Sequence, residues 1–284
     1  MRERGDRSRH RAVGEGDADR SAERPITPTL SPDGGERVDR DGAPAVPTPP
    51  GAALVARGSG GERASGARHL VVRVKSARRR KPSSTEWLAR QLNDPFVAEA
   101  RRLGYRSRAA FKLLQLDERF RLLAPGRRIV DLGCAPGGWT QIAAQRIGAH
   151  GKIVGIDLNP TDPIGGATLL TGDFRDPDTA ERVRAALGGP ADVVLSDMAA
   201  PTTGHAPTDH LRIIALAEDA FQFAGTILKP GGTFVAKVFQ GGTEGALLLT
   251  LKREFVEVRH AKPAASRAES AETYVVAKGF RGAA

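Results

Sequence analysis

The sequence predicts an α/β domain with a mostly parallel β-sheet, and two observations lead to that prediction. After Arg127, short runs rich in β-branched residues alternate with helical stretches, which is the spacing of βαβ units. The first of these runs contains Asp131 and passes through a glycine turn into a helix. Open α/β sheets bind ligands at such a turn, beyond the carboxyl end of a strand. The sequence therefore predicts a ligand-binding α/β domain.

The N-terminal part of the chain has a different composition. No Phe, Trp or Tyr precedes Trp87, and residues 1–67 are dense in Gly, Pro, Ser, Asp, Glu and Arg. A segment of this kind cannot bury enough apolar surface to offset the entropy that ordering would cost. We therefore predict a disordered tail over residues 1–67.

The positive charge of the chain is concentrated just before the folded part. Residues 1–50 hold nine Lys/Arg and ten Asp/Glu, whereas residues 51–81 hold nine Lys/Arg and one Glu. Such a block binds phosphates by counterion release, although a solvated linker has the same composition. We predict a basic arm over residues 68–82 and one folded domain over residues 83–284.

Three helices are predicted before the sheet begins. Ser83-x-x-Glu86 has the spacing of a capping box, which would start the first helix. Asp94-Pro95 combines an N-cap with a proline at the first helical position, so a second helix should run to about Leu103. Ser107 is expected to cap a third helix over residues 108–120.

Strands and helices alternate from there to the end of the chain. Two late strand-like runs, residues 254–260 and 273–278, have only a loop between them and are expected to pair antiparallel. The other apolar runs predict strands at residues 128–132, 152–157, 168–171, 191–196 and 232–239, with helices at residues 138–147, 177–187, 209–228 and 243–253.

The glycine turn distinguishes between cofactors. Residues 129–141 read I-V-D-L-G-C-A-P-G-G-W-T-Q, which places glycines at 133, 137 and 138. A dinucleotide fingerprint requires G-x-G-x-x-G, and the second glycine that would let the backbone meet a pyrophosphate is absent from this turn. The pattern strand-D-L-G-x-x-P-G-G-W instead resembles the FtsJ/RlmE family of S-adenosylmethionine (SAM) methyltransferases.

Four further motifs extend the resemblance from about Ser84 to Lys278. The family commonly has S-D-M-A-P-N after the fourth strand, whereas this chain has S-D-M-A-A-P-T, so the loop there should differ in detail. The resemblance implies SAM as cofactor and a Rossmann-like methyltransferase fold, with a mostly parallel seven-stranded sheet and an antiparallel C-terminal strand. The motifs are R-S-R-A-A-F-K at 106–112, S-D-M-A at 196–199, F-V-A-K-V-F-Q-G at 234–241 and K-P-x3-R-x2-S-x-E-x-Y at 262–274.

Five residues are expected to hold the cofactor. Asp157 ends the second predicted strand, where a carboxylate can accept hydrogen bonds from both ribose hydroxyls. By resemblance, Asp173 lies near the adenine, and Gly137 and Trp139 contact the cofactor, although a tryptophan there could also simply pack against the sheet. Asp197 follows the fourth strand, and an acid at this edge suits the positive charge of SAM.

Four residues are expected to carry the chemistry. The resemblance supplies the Lys–Asp–Lys–Glu tetrad of 2′-O-ribose methyltransferases: Lys112, Asp197, Lys237 and Glu272. Lys237 also stands out by itself, because it interrupts the apolar run T-F-V-A-K-V-F and a buried charge needs a partner. A ribose hydroxyl is a poor nucleophile, so the site must orient it and accept its proton. We expect Lys237 to be the proton acceptor, with purely electrostatic lysines as the alternative.

The resemblance implies a ribosomal substrate. In bacterial members it points to 23S rRNA of the large subunit, at a uridine in the peptidyl-transferase A-loop. Methylation of tRNA or another RNA is one alternative, and a non-catalytic rRNA-binding assembly factor is another. An N-methyltransferase would carry [ND]-P-P-[YF] after the fourth strand, where this chain has Asp197-Met198-Ala199.

Composition narrows the remaining possibilities. The single Cys134 allows no intramolecular disulfide and provides no metal-ligand cluster, and we assign it no chemistry. No apolar run approaches the ~18 residues of a membrane span, and the N-terminus has no hydrophobic signal segment. We expect a monomeric, cytoplasmic protein that uses neither a metal nor a membrane.

Overall fold

The structure is a computed structural model that describes residues 85, 88, 89, 91–240 and 245–282. The predicted tail over residues 1–67 and the basic arm over residues 68–82 lie outside these residues. Within the stretch of the first predicted helix, the described residues up to Leu92 are helical.

Two helices lie between residue 92 and the sheet. Helix α1 (Pro95–Arg102) begins as predicted, with Oδ1 of Asp94 accepting the backbone N–H of Phe96. Helix α2 (Ala109–Phe120) begins at a different residue, because its N-cap is Arg108 and no side chain caps it. The predicted Ser107 cap is therefore wrong. The hydroxyl of Ser107 lies against Gly138, where a side chain on the glycine would collide with it.

The described residues that follow form a seven-stranded sheet of order β3-β2-β1-β4-β5-β7-β6. Strands β1 to β5 pair parallel, and β7 pairs antiparallel with both β5 and β6. The predicted fold, including an antiparallel strand at the C-terminal end of the chain, is confirmed. The elements are β1 (Arg128–Leu132), α3 (Gly138–Ile147), β2 (Lys152–Asp157), β3 (Ala167–Thr171), α4 (Pro177–Leu187), β4 (Ala191–Ser196), α5 (Ala206–Ile227), β5 (Leu228–Phe239), α6 (Gly245–Glu254), β6 (Phe255–Ala261) and β7 (Glu272–Phe280).

Two elements begin three or more residues earlier than their sequence patterns indicate. Helix α5 begins at Ala206 rather than at residue 209, because Pro207 fits the first turn of a helix. Strand β5 begins at Leu228 rather than at residue 232, because Leu228 pairs with Ala191 ahead of a register shift in the β4–β5 pairing. Neither difference moves a predicted site residue.

The helices divide between the two faces of the sheet. One apolar cluster joins one face to α4, α5 and α6, and the other joins the opposite face to α2 and α3. Side chains alternate along a strand, so Lys237 lies on the same face as Val235, which is the face that α2 and α3 cover. The antiparallel pairing sets Tyr274 directly opposite Lys237.

Candidate active site

Four charged side chains from four elements meet on the face that α2 and α3 cover. Lys112 comes from α2, Asp197 follows β4, Lys237 lies in β5 and Glu272 begins β7. Nζ of Lys112 lies 2.7 Å from Oε1 of Glu272, and Nζ of Lys237 lies 2.7 Å from Oδ1 of Asp197. The cross pairs, Lys112–Asp197 and Lys237–Glu272, are each 3.8 Å apart. The fold thus brings together the four side chains that the resemblance selects.

These four side chains form a neutral, alternating set of charges. They are only 8–15% exposed, so each charge depends on its neighbours. Burial opposes the ionisation of Asp197, but Lys237 and Lys112 outweigh it, and the net effect lowers the pKa of Asp197. Burial likewise opposes the ionisation of Glu272, and Lys112 and Lys237 lower its pKa. Both carboxylates are therefore ionised at neutral pH.

Backbone contacts hold Lys237 in addition to its ion pair. Its Nζ donates to the carbonyl oxygen of Asp197 at 2.8 Å. An ammonium has three N–H donors, and two of them are used on Asp197. Among the described carboxylates, the next one is that of Glu272 at 3.8 Å, which is beyond hydrogen-bond distance. The third position on Nζ, an N–H in the ammonium and a lone pair in the neutral amine, is therefore available to a hydroxyl group placed beside the tetrad.

Two residues without a predicted role also contact the tetrad. The hydroxyl of Tyr274 donates to Oδ1 of Asp197 at 2.7 Å, and Oγ of Ser266 donates to Oε1 of Glu272 at 2.7 Å. Period-two alternation from Glu272 could have indicated Tyr274, since both lie on one face of β7. Ser266 lies in the β6–β7 loop, and no local pattern indicates it.

The glycine turn is closely packed against the segment that follows β4. Gly133 has φ +75°, and a Cβ atom there would lie 2.3 Å from Cγ of Met198. The amides of Gly133 and Cys134 both donate to the carbonyl of Ile156, and the amide of Ala135 donates to Oδ2 of Asp157. These three amides are therefore used within the protein and are not offered to a ligand. Gly133 itself leaves room for the side chain of Met198.

A cavity of about 550 Å³ opens at the carboxyl edge of the parallel strands. This volume lies within the range of pockets for small ligands and cofactors. Three acids line it, Asp157, Asp173 and Asp197, and their charge suits the sulfonium and ammonium groups of SAM. The residues present therefore fit the cofactor that the fold implies. Asp197 belongs both to this cavity and to the tetrad.

Asp157 and Asp173 are already engaged by protein groups. Asp157 accepts the amide of Ala135 and both the amide and the side-chain Nδ2 of Asn159. A carboxylate has about four acceptor positions, so Asp157 has one left for a ribose hydroxyl unless Asn159 moves. Asp173 pairs with Arg175, and hydrogen bonds from that side chain lower the pKa of Asp173.

Gly137 and Trp139 do not line this cavity. Gly137 has φ +104°, and a Cβ atom there would meet Ile164 and Arg106. Trp139 is 3% exposed, and its indole N–H donates to the carbonyl of Ala109 at the start of α2. The Trp139 side chain therefore packs in the core, and a contact with the cofactor would have to come from its backbone.

The loop after Asp197 forms part of the cavity wall. Ala199, Ala200 and Pro201 line the cavity. Asp209, in the first turn of α5, holds the next part of the loop by accepting the amide and hydroxyl of Thr203, both at 2.7 Å. This is the segment whose sequence departs from the family pattern.

Two further titratable groups lie buried near the cavity. Burial, followed by repulsion from Asp197 and Asp157, raises the pKa of Asp131 to about 7, although Thr140 donates to its Oδ2 at 2.6 Å. Burial and the neighbouring Asp131 raise the pKa of the Cys134 thiol to about 12. A thiol of this kind is a poor nucleophile.

The described residues show neither a metal cluster nor a membrane span. No group of three or more His, Cys, Asp or Glu among them is arranged to hold a metal ion. None of the described helices is both long enough and apolar enough to cross a bilayer.

Sequence relatives carry one consistent name. The protein named ribosomal RNA large subunit methyltransferase E from Paramagnetospirillum magneticum is 65% identical over 231 residues, which cover 80% of this chain and 95% of that protein. Its namesake from Azorhizobium caulinodans is 61% identical, with coverage of 80% and 95%. The namesake from Parvibaculum lavamentivorans is 57% identical, with coverage of 79% and 92%.

Structural and family comparisons agree with these relatives. A crystal structure from Plasmodium falciparum, assigned as a ribosomal RNA methyltransferase, matches with a TM-score of 0.58 and 33% identity, over 63% of this chain and all of that chain. The family model described as FtsJ-like methyltransferase matches residues 105–280, the part of the chain that holds the tetrad and the cavity. This chain therefore belongs to the FtsJ-like methyltransferase family, together with the ribosomal RNA large subunit methyltransferase E proteins.

Proposed function

We propose that this protein transfers a methyl group from SAM to the 2′-hydroxyl of a ribose in 23S rRNA, at a uridine of the peptidyl-transferase A-loop. The observation that carries the proposal is the position of Asp197. Its carboxylate lines the cofactor-sized cavity and also holds Lys237 at 2.7 Å. A methyl donor in the cavity and a hydroxyl at the tetrad would thus share one boundary residue.

SAM supplies an electrophilic methyl group on a positively charged sulfur. The cavity acids Asp157, Asp173 and Asp197 would hold the cofactor, and Gly133 also lines the cavity. Gly137 and the backbone of Trp139 are retained in the proposal as further contacts on the resemblance alone.

The tetrad has two tasks in the proposed reaction. It must orient the ribose hydroxyl towards the cavity, and it must take up the proton that the hydroxyl loses. Lys237 suits both tasks as a neutral amine, which keeps two N–H groups for Asp197 and has a lone pair for the hydroxyl proton. Its contacts with Asp197 fix Nζ in place. We propose that Nζ of Lys237 accepts the proton, while Lys112 and Glu272 balance the charge. The alternative is that both lysines act only by charge.

The substrate rests on the relatives rather than on the geometry. The relatives are named for methylation of large-subunit ribosomal RNA, and we propose the same substrate class here, in the cytoplasm and during ribosome biogenesis. The uridine rests on the resemblance alone, and the monomeric state is a further part of the proposal. The basic arm over residues 68–82 is proposed to contact RNA phosphates.

The proposal can be tested with large ribosomal subunits from a strain that lacks the gene. Purified full-length protein and labelled SAM should methylate these particles, and nucleoside analysis should find 2′-O-methyluridine at a single A-loop position. Particles from the parental strain, already modified, are the matched control and should accept no label. Label on tRNA alone, or on a base instead of a ribose, would contradict the proposal.

A further inference from the structure

Tyr274 occupies an unusual position in the tetrad. Its side chain is fully buried, with 0% exposure, and it lies opposite Lys237 in the β5–β7 pairing. Its hydroxyl and the Nζ of Lys237 both meet Oδ1 of Asp197 at 2.7 Å. One carboxylate oxygen thus receives a neutral donor and a cation at the same time.

The ring of Tyr274 has its own partners. Nζ of Lys112 lies 5.7 Å from the ring centroid, within the distance of a cation–π contact. The ring centroids of Trp139 and Tyr274 lie 5.6 Å apart, and the two ring planes are tilted by 36°. Since Trp139 also donates to Ala109, three residues before Lys112, the aromatic pair connects α2 to β7.

The hydroxyl has to be explained separately from the ring. A phenylalanine would fill the same space, whereas a buried hydroxyl is costly unless it is hydrogen-bonded. Burial, and then the charges of Asp197 and Glu272, raise the pKa of Tyr274 well above its usual value. The phenol therefore stays neutral and acts as a permanent donor to Asp197.

We propose that Tyr274 is a positioning residue for methyl transfer, which acts by holding the carboxylate of Asp197 so that Lys237 faces the reacting hydroxyl. This inference rests on the proposed function, with Lys237 as proton acceptor. Among the described residues, the donors that reach the Asp197 side chain are Tyr274, Lys237 and, at 3.8 Å, Lys112. Without the phenol, only the two lysine Nζ groups would orient this carboxylate.

The first test is Tyr274→Phe in the full chain, with single-turnover transfer measured from pH 6 to 9. A hydrogen bond to a charged group is lost, so the rate should fall roughly ten- to a hundredfold. SAM affinity by calorimetry should stay within about twofold of the parent, because Tyr274 does not line the cavity and Asp197 keeps its charge. The charged groups around the phenol are Lys112, Asp197, Lys237 and Glu272. Without the phenol, the carboxylate of Asp197 would attract the lysine ammonium groups more strongly and favour their protonated form. The inflection of the pH–rate profile should therefore move to higher pH.

The chain offers a matched control, because it has only two tyrosines. Tyr105 packs on Phe111, away from the tetrad, and Tyr105→Phe should keep both the parental rate and the parental profile. In that background, replacement of tyrosine by 3-fluorotyrosine puts a more acidic phenol at residue 274 alone. The stronger donor should move the inflection to lower pH, and this protein keeps both the ring and the hydroxyl if Tyr274→Phe fails to fold.

The outcomes separate the inference from the proposed function. A Tyr274→Phe protein with the parental rate, or one that is slower at every pH with an unmoved inflection, would overturn the positioning role and leave the proposed reaction intact. An unmoved inflection in the fluorotyrosine protein would do the same. A parental protein that methylates no ribose would overturn both.

Discussion

Asp131 and Asp197 are buried carboxyl groups beside neighbouring strands, yet their environments shift their pKa values in opposite directions. Asp131 lies in β1, and the one described side chain that donates to it is that of Thr140, at 2.6 Å. Its other oxygen, Oδ1, is buried without a described partner. Asp197 lies after β4 and meets two lysines and a tyrosine. Burial raises the pKa of Asp131 to about 7, whereas the cations lower that of Asp197.

The difference shows that burial alone does not fix the charge of a carboxyl group. Desolvation acts on both residues, and the nearest cations decide the outcome. Asp131 can store a proton near neutral pH, while Asp197 keeps a charge that holds Lys237. The two residues also repel each other, so the charge on Asp197 helps to keep Asp131 protonated.

The largest effect is expected at the cation that Asp197 holds. Lys237→Ala should keep SAM affinity but lose transfer by ~10³-fold or more, since general-base help alone gives ~10²–10⁴-fold. Lys237→Arg should be almost as inactive, because a guanidinium does not release its proton near neutral pH. Single-turnover transfer measures both variants.

A lysine on the same strand provides the control for that experiment. Lys229 is half-exposed and pairs with Asp192, so Lys229→Ala should keep the parental rate. Near-parental transfer by Lys237→Arg would show that only a positive charge is needed and that the lysine is not a base.

Removal of the charge of Asp197 should cost stability. Asp197→Asn leaves two buried ammonium groups facing one carboxylate, and breaking a buried pair costs roughly 3–5 kcal/mol in the free energy of unfolding. Urea denaturation at pH 7 measures this loss. The pKa values of Asp197 and Glu272 are depressed, so the stability they contribute is present above about pH 4 and is lost as pH falls further. Unchanged stability at pH 7 would contradict this account of the tetrad.

Asp131→Asn should instead increase the free energy of unfolding at neutral pH and above. The folded pKa of Asp131, about 7, lies above the unfolded value near 3.9, so the folded state binds the proton more strongly between about pH 4 and 7. The stability that this proton gives is lost as pH rises through that window. Asparagine cannot ionise, and the variant should therefore gain up to roughly 2–4 kcal/mol over the parent as pH rises from 5 to 8. A stability difference between the variant and the parent that does not change with pH would contradict the raised pKa of Asp131.

The smallest effect is expected at Asp157, which lines the cofactor cavity but does not belong to the tetrad. Asp157→Ala should weaken SAM binding roughly tenfold or more, the range of a lost hydrogen bond to a charged group, as measured by calorimetry. Asp162→Ala is a suitable control, because Asp162 is an exposed acid of the same loop and does not line the cavity. Equal affinities for the two variants would remove Asp157 from the cofactor site.

Local patterns determined much of this protein. The alternation of β-branched and helical runs predicted the strands and the mostly parallel sheet, and the glycine spacing excluded a dinucleotide fingerprint. Lys237 could be singled out because a charge in an apolar strand requires a partner. The full tetrad came from the resemblance to a family, since Lys112 and Glu272 lie 160 positions apart and no local pattern links them.

The tertiary structure alone decided how these residues are used. The sequence allows Trp139 either to contact the cofactor or to pack in the core, and the fold places its side chain in the core. Ser107 could have capped a helix, but its hydroxyl instead lies against Gly138 at the start of α3. The described donors to Asp197 lie in α2, β5 and β7, and the described side-chain donor to Asp131 lies in α3, so their opposite pKa shifts exist only in the folded chain. The sequence specifies which side chains can ionise. Which of them carry a charge depends on the neighbours that the fold places beside them, and those neighbours come from remote parts of the chain.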